Sequence, residues 1–238
     1  MFREIPEEDL LEVWVCDRFA GKHPKMISSL PAALPTYQVP DALFEKISDT
    51  TTPQGILALV RQKSCSLGEL LSEGKFSSGP KEAPLFLLLE NLQDPGNLGT
   101  ILRSGEGAGV TAVILSSDSV DCTNPKVIRS TMGAIFRVPV LVTENLQETI
   151  ALLKQSGIRV YAAHLDSESL PYDRADWSGP SAVLIGNESK GLSAAVTACA
   201  DEKVHIPMLG QVESLNAAVA ASLIAFEAAR VRRNCYKM

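Results

Sequence analysis

The chain has 238 residues, of which 45% are hydrophobic and 21% charged, and its formal net charge is −6. This composition is typical of a globular protein with its own core, and no apolar run reaches the roughly 18–20 residues of a membrane span. The acidic start of the chain lacks the order of a signal peptide. The five cysteines contain no C-x-x-C pair and the three histidines are dispersed. We therefore expect a cytoplasmic protein with no disulfide framework, no metal site and no membrane partner.

Residues 1–74 are predicted to form a small α/β domain. Short β-rich runs at 13–16, 37–39 and 56–60 alternate with segments of helical spacing, such as 41–47. Residues 75–84 are rich in loop-forming residues and poor in apolar ones, which predicts a linker to a second domain at 85–238.

The second domain shows a regular alternation of apolar strands and helices. The predicted strands are 85–89, 112–115, 138–142, 159–163, 182–185 and 203–206. The predicted helices are 98–108, 125–132, 146–155, 193–199 and 216–233. Continuous apolar strands that alternate with helices predict an α/β fold with a mainly parallel sheet and helices on both faces. Ligands bind beyond the carboxyl ends of such strands, so the loops that follow them are the candidate functional segments.

The first of these loops leads into a helix that carries Asn97 and Arg103. Asn97 is predicted to cap the helix. Arg103 lies off the apolar stripe, and it is either an ordinary solvated side chain or aimed at a phosphate or ribose. The Gly105-x-Gly107-x-Gly109 pattern falls inside or after the helix rather than at the strand–helix turn. It is therefore a weak dinucleotide signal, which disfavours a nucleotide-dependent oxidoreductase.

Two later loops are also unusual in composition. Glu188 stands between two glycines at the tip of strand 182–185. It is either solvated or a ligand group, and its place favours the second interpretation. The third loop runs from Ile206 to a helix that Ser214 or Asn216 could cap. That helix is apolar nearly all round, which is typical of an internal core helix and would also suit a dimer interface.

Taken in this order, the loops resemble the signature motifs of the SpoU (TrmH-like) family of RNA ribose 2′-O-methyltransferases, within the SPOUT class. The matching segments are 97–103, 124–139, 186–191 and 206–216. Four motifs in the expected order make the resemblance specific, and it covers roughly residues 85–232. Residues 48–56 also resemble the end of the small substrate-binding domain that precedes the catalytic domain in many members.

The resemblance implies a fold, a cofactor and an assembly. The C-terminal part of the sheet would form a trefoil knot that holds S-adenosyl-L-methionine against the backbones of Gly186, Ile206 and Leu215. Members of the family are dimeric, so a homodimer through the knot region and the final helix is expected. The partner would be RNA, bound in the first domain by residues 1–74 and elsewhere by local basic residues.

The resemblance also implies the reaction, which is methyl transfer to a ribose 2′-hydroxyl. Arg103 would stand at the 2′-oxygen, with Asn97, Glu188, Ser214 and Asn216 orienting it and the substrate. The family assigns the arginine as general base, but a guanidinium group is effectively never neutral. Phosphate binding and stabilisation of the developing oxyanion are physically easier roles for it. Ribosomal RNA is the expected substrate, and the alternatives are transfer RNA or a non-catalytic RNA-binding protein of this fold.

Overall fold

The computed structural model describes residues 5–48, 50–62, 65–72, 83–212 and 214–234. The chain divides into two compact units, residues 1–63 and 64–238. Most of the predicted linker, 75–84, lies outside the described residues. No helix within the described residues is long and apolar enough to cross a membrane.

The small unit contains a three-stranded sheet in the order β2-β1-β3. Its strands and helices are β1 Leu10–Cys16, α1 Asp17–Lys22, α2 Pro24–Ser28, β2 Thr36–Val39, α3 Asp41–Ile47 and β3 Ile56–Val60. β1 is parallel to β2 and antiparallel to β3. Cys16, Val39 and Phe44 form a small buried cluster at the carboxyl end of β1. This cluster packs α3 against the sheet.

The large unit contains a seven-stranded sheet in the order β6-β5-β4-β9-β7-β10-β8. Its strands are β4 Leu85–Leu89, β5 Ala112–Ser116, β6 Val140–Thr143, β7 Arg159–Ala163, β8 Leu170–Pro171, β9 Ser181–Ile185 and β10 Glu202–His205. Its helices are α4 Leu67–Ser72, α5 Pro95–Ala108, α6 Pro125–Ser130, α7 Leu146–Gln155, α8 Ala194–Thr197 and α9 Ala217–Asn234. All the described strand pairs are parallel. The predicted α/β class with a mainly parallel sheet is confirmed, whereas the trefoil knot stays a prediction.

Helices cover both faces of the large sheet because its central strands are apolar on both sides. In β4, Leu85, Leu87 and Leu89 belong to one buried cluster, and Phe86 and Leu88 belong to the other. Successive side chains of a strand point to opposite faces, so this one strand contributes to both cores. The first cluster includes residues of α5 and α9, and the second includes residues of α7 and α8.

A buried arginine near the end of α9 closes the amino side of this sheet. Arg232 is only 8% exposed. Its Nε donates to the carbonyl of Trp177 at 3.0 Å, and its Nη2 donates to the carbonyls of Pro84 at 3.2 Å and Gly179 at 2.9 Å. These carbonyls precede β4 and β9, so Arg232 connects α9 to the amino ends of the two central strands.

Candidate active site at the carboxyl ends of β4 and β9

A tight turn follows β9 and begins at Gly186, where any side chain would force the neighbouring backbone to move. A Cβ at Gly186 would lie 2.1 Å from the carbonyl carbon of Gly191. Asn187 and Gly191 exchange two backbone hydrogen bonds, of 3.1 and 2.9 Å, which close the turn. The side chain of Asn187 donates to the carbonyl of Asn91 at 2.8 Å. The turn is thereby tied to the loop that follows the neighbouring strand β4.

Glu188, at the tip of this turn, accepts hydrogen bonds from that same loop. Its Oε2 accepts from the backbone N–H of Gln93 at 3.2 Å. Its Oε1 accepts from the backbone N–H of Asp94 at 3.0 Å and from Nδ2 of Asn97 at 3.0 Å. The Glu188 side chain is therefore held by three donors, so it is a fixed part of the site although it lies at the surface.

Asn97 continues this hydrogen-bond chain to the third motif. Its Oδ1 accepts from Nδ2 of Asn216 at 2.9 Å. Oδ1 of Asn216 accepts from the backbone N–H groups of Ala218 at 2.9 Å and Val219 at 3.3 Å, so Asn216 caps α9. Glu188, Asn97 and Asn216 thus form one continuous hydrogen-bonded chain, which we call the carboxylate–amide chain.

The prediction that Asn97 caps α5 is wrong. Asp94 is the capping residue, because its Oδ1 accepts from the backbone N–H of Asn97 at 2.8 Å and Pro95 occupies the first position of the helix. An acid followed by proline is itself a helix-start signal, so the sequence held the information. Because Asp94 caps the helix, the Asn97 side chain is available to Glu188 and Asn216.

Hydrogen-bond donors depress the pKa of Glu188 against the effect of burial. Partial burial alone would raise the pKa of this carboxyl, but the Asn97 amide and the backbone N–H groups of Asp94 and Gln93 lower it below its ordinary value. The ionised form is the one that accepts these hydrogen bonds. Glu188 is therefore a weak base, and its hydrogen bonds hold the start of α5 in place.

Arg103 lies apart from the carboxylate–amide chain. It lies six positions after Asn97, which corresponds to about 9 Å along α5 and a rotation of about 240°. Its side chain is exposed, and no residue in the described part of the chain forms a hydrogen bond or ion pair with it. One turn earlier on the same face, a Cβ at Gly99 would lie 1.7 Å from Oγ of Ser130. Arg103 therefore stands on the side of α5 that packs against α6.

The remaining predicted site residues lie after β10. Ile206 is half-buried against the core cluster that includes α5 and α9, and Leu215 is half-buried just before Asn216. Ser214 is exposed. Between them, Leu209 and Val212 expose their apolar side chains, Leu209 completely. This loop offers apolar surface and main-chain groups, and its end is linked to the turn after β9 through Asn216, Asn97 and Glu188.

The loop after β7 is fastened to β10 on the other side of the same sheet edge. Nζ of Lys203 lies 2.6 Å from Oδ2 of Asp166, and Oγ of Ser169 lies 2.9 Å from Nδ1 of His205. Lys203 and Asp166 hold each other in the charged state, because their contact raises the pKa of the lysine and lowers the pKa of the aspartate. These two contacts position the loop, and the described residues contain no cluster of metal-binding side chains.

Sequence reasoning left one further carboxylate without a role. Glu90 follows β4 directly, and its two carboxylate oxygens accept from Oγ of Ser193 at 2.6 Å and from the backbone N–H of Ser193 at 2.7 Å. Ser193 caps α8, so Glu90 links the end of β4 to the start of that helix. An acid at a strand tip was the available signal, as it was for Glu188.

Comparison with known proteins places these motifs in one family. Residues 84–226 match the model of the SpoU rRNA Methylase family. The chain is 35% identical to 23S rRNA (guanosine(2553)-2′-O)-methyltransferase RlmP of Bacillus subtilis (strain 168), over 84% of this chain and 74% of that protein. It is 37% identical to 23S rRNA (guanosine-2′-O-)-methyltransferase RlmB of Ralstonia nicotianae, over 78% of this chain and 73% of that protein.

The fold comparison agrees. The crystal structure of an AdoMet-bound rRNA methyltransferase from Sinorhizobium meliloti superimposes with a TM-score of 0.79 at 27% sequence identity. The match covers 93% of this chain and 80% of that one. It therefore includes residues on both sides of the predicted linker.

The lowered pKa of Glu188 predicts a pH-dependent contribution of this residue to stability. The difference in unfolding free energy between the wild type and Glu188→Gln is expected to be present at neutral pH and to shrink as pH falls through the lowered pKa, since protonation removes the preferred acceptor. Urea unfolding from neutral pH to about pH 3 measures it. Glu144→Gln, at an exposed carboxylate in the turn after β6, is the control. A Glu188 difference that stays constant or grows on acidification would contradict the assignment.

Proposed function

Because this chain belongs to the SpoU rRNA methylase family, we propose that it transfers a methyl group from S-adenosyl-L-methionine to a ribose 2′-hydroxyl of ribosomal RNA in the cytoplasm. The observation that supports this most directly is the carboxylate–amide chain. It joins residues of three family motifs, from loops up to 119 positions apart.

The loops after β9 and β10 fit the cofactor by their chemistry. An adenosyl group needs apolar walls and a few main-chain partners rather than a phosphate-binding loop. Ile206 and Leu215 supply half-buried apolar side chains, and Gly186 allows the backbone of its turn to close tightly. When bound, S-adenosyl-L-methionine supplies an electrophilic methyl group on a sulfonium. We assign Gly186, Ile206 and Leu215 to its binding.

Arg103 is assigned to the substrate oxygen. No described residue pairs with this guanidinium, so its N–H groups are available to a ligand. Arginine binds phosphate oxygens through two parallel N–H groups. It would hold the phosphate beside the target ribose and stabilise the negative charge that develops on the 2′-oxygen. Proton removal is left to water or to the RNA, since an arginine does not act as a base.

Glu188, Asn97 and Asn216 act as positioning residues in this scheme. Their hydrogen bonds are made to one another and to the backbone, so they fix the start of α5, and hence Arg103, relative to the cofactor loops. Ser214 stands just before the cap of α9, and no described group bonds to its hydroxyl. Its hydroxyl is therefore free to contact a substrate, unlike the side chains of the carboxylate–amide chain. Fixed geometry of this kind lowers the cost of bringing two reactants into line.

RNA binding needs a local positive surface, because the whole chain is acidic. Lys126 and Arg129 are exposed on α6, the helix beside Arg103. Arg137 pairs with Glu106 at 3.2 Å, and Arg129 also has an interaction partner. We assign the surface around Arg103, Lys126 and Arg129 to the RNA backbone.

The methyl-transfer experiment tests the function directly. The full chain, incubated with labelled S-adenosyl-L-methionine and unmodified ribosomal RNA, is expected to produce one 2′-O-methylated nucleoside, detected by nuclease digestion and nucleoside analysis. Transfer RNA serves as the comparison substrate. Methylation of transfer RNA alone would contradict the ribosomal assignment, and cofactor binding without transfer to either RNA would identify a non-catalytic RNA-binding protein.

Replacement of Arg103 separates its catalytic role from cofactor binding. Arg103→Ala is expected to lower kcat by about 100-fold, as loss of one oxyanion-stabilising group does, with an unchanged Kd for S-adenosylhomocysteine. Arg159→Ala is the matched control, because Arg159 lies at the amino end of β7, away from the site, and pairs with Glu202. Unchanged turnover in Arg103→Ala would remove the residue from the mechanism.

Exposed apolar side chains on α9 support a homodimer. Val219, Leu223 and Phe226 are spaced by four and three residues, so they form one stripe, and each is at least 39% exposed. We propose that a second copy covers this stripe together with the apolar loop after β10. Light scattering is expected to give the mass of two chains for the wild type and of one chain for Leu223→Glu. A monomeric wild type would overturn the proposal.

A further inference from the structure

The small unit contains a cavity that the reaction described above does not use. The cavity has a volume of about 470 Å³ and lies at the carboxyl end of β1, between α1 and the turn that precedes β3. This volume falls within the roughly 300–1,000 Å³ typical of small-ligand sites. A single nucleotide unit is small enough to enter it.

The cavity is built by close backbone approach. Gly55, in the turn before β3, has φ of +91°, and a Cβ there would lie 2.7 Å from Sγ of Cys16 and 2.8 Å from Cβ of Phe19. The backbone N–H of Cys16 donates to the carbonyl of Gly55 at 2.9 Å, and Sγ of Cys16 accepts from the backbone N–H of Phe19 at 3.4 Å. The turn and α1 are therefore held against each other around the cavity.

Two aromatic rings line one wall. Phe19 and His23 are four residues apart, and their ring centroids lie 4.6 Å apart. Phe19 is half-buried, whereas His23 is exposed and open to a ligand. A wall of this kind suits a flat, uncharged ring, since nucleobases stack on aromatic side chains whatever their sequence.

The charges around the cavity favour an anion. Arg18 and Lys22 are exposed along α1 beside the aromatic pair. Among the described residues that line the cavity, Glu45 is the one acidic side chain, and it lies 3.7 Å from Arg18 at the surface. A surface contact of this kind is weak, so a phosphate could displace it. The lining therefore carries two cations against one carboxylate, although the whole chain has a net charge of −6. Asp41 lies next to the lining, where its Oδ1 accepts from the backbone N–H of Arg18 at 3.2 Å.

Uncharged polar groups complete the lining. Thr52 and Gln54 are exposed in the turn before β3 and border the same cavity. A hydroxyl and an amide can each donate and accept, which is what the edge of a nucleobase or a ribose hydroxyl requires.

From these features together, we propose that the cavity binds one unpaired nucleotide of the RNA substrate, with the base against Phe19 and His23 and its phosphate between Arg18 and Lys22. Thr52 and Gln54 would contact the base edge or the 2′-hydroxyl. The nucleotide must be unpaired, because a base inside a duplex has no free face to stack on an aromatic wall. The inference rests on the proposed function, in that the RNA is the one the enzyme methylates.

Substitutions of two residues that line the cavity test, in the full chain, whether it binds RNA. Lys22→Glu and His23→Ala are expected to raise KM for a methylatable ribosomal RNA fragment by about tenfold, in line with one lost phosphate or stacking contact. The KM for S-adenosyl-L-methionine and kcat should stay the same. Lys25→Glu is the control, because it makes the same charge change on the exposed surface of α2, outside the cavity. Circular dichroism confirms that each variant is folded.

A second measurement follows the base itself. When 2-aminopurine replaces single unpaired bases of the fragment in turn, one position is expected to show fluorescence quenching on binding, and His23→Ala should abolish that quenching. If the wild type is active and Lys22→Glu and His23→Ala have the same KM for the RNA fragment as the wild type and Lys25→Glu, the proposed nucleotide site is overturned while the proposed function stands. Saturable binding of free guanosine monophosphate at the cavity with no effect of the variants on RNA would also overturn it. An inactive wild type would instead point to failure of the proposed function.

Discussion

The carboxylate of Glu188 is the acceptor on which the arrangement of the catalytic loops depends. Its three donors lie 95, 94 and 91 positions earlier in the chain, and they surround the start of α5. A negative charge at this place also interacts favourably with the positive end of the helix dipole. Because Asn97 relays this contact to Asn216, one side chain sets the relation between the loop after β4, the turn after β9 and the start of α9.

That contact is available because β4 and β9 are neighbours in the sheet. The two strands are paired in register from Leu85 with Ser181 to Leu89 with Ile185, so they end side by side although the chain between them is long. The family motifs are widely spaced in sequence for this reason. Each belongs to a loop that leaves a different strand, and the strand order brings them together.

Much of this could be predicted from sequence. The strand at 85–89 and the helix at 41–47 match the structure at both ends, because a continuous apolar run and a clear helical spacing are strong signals. The family follows from four ordered motifs and the α/β class with a mainly parallel sheet from the alternation of apolar strands and helices, and both are confirmed. The two-residue strand β8 and the helices α1, of six residues, and α2, of five, were not predicted, since elements this short show little periodicity. The roles of Arg103 and the other site residues stay predictions. The link from Glu188 to Asn97 could not be read from either loop alone, because it depends on which strands are adjacent.

The three hydrogen bonds of Arg232 make the large sheet depend on α9. The carbonyls of Pro84, Trp177 and Gly179 receive their charged donor from a residue near the end of the described chain. Buried carbonyls without a donor are costly, so a nascent chain that stops short of α9 leaves the entrances of its two central strands unsatisfied. The amino ends of the two central strands therefore depend on a residue 148 positions after Pro84, and removal of α9 is expected to weaken the sheet at those ends.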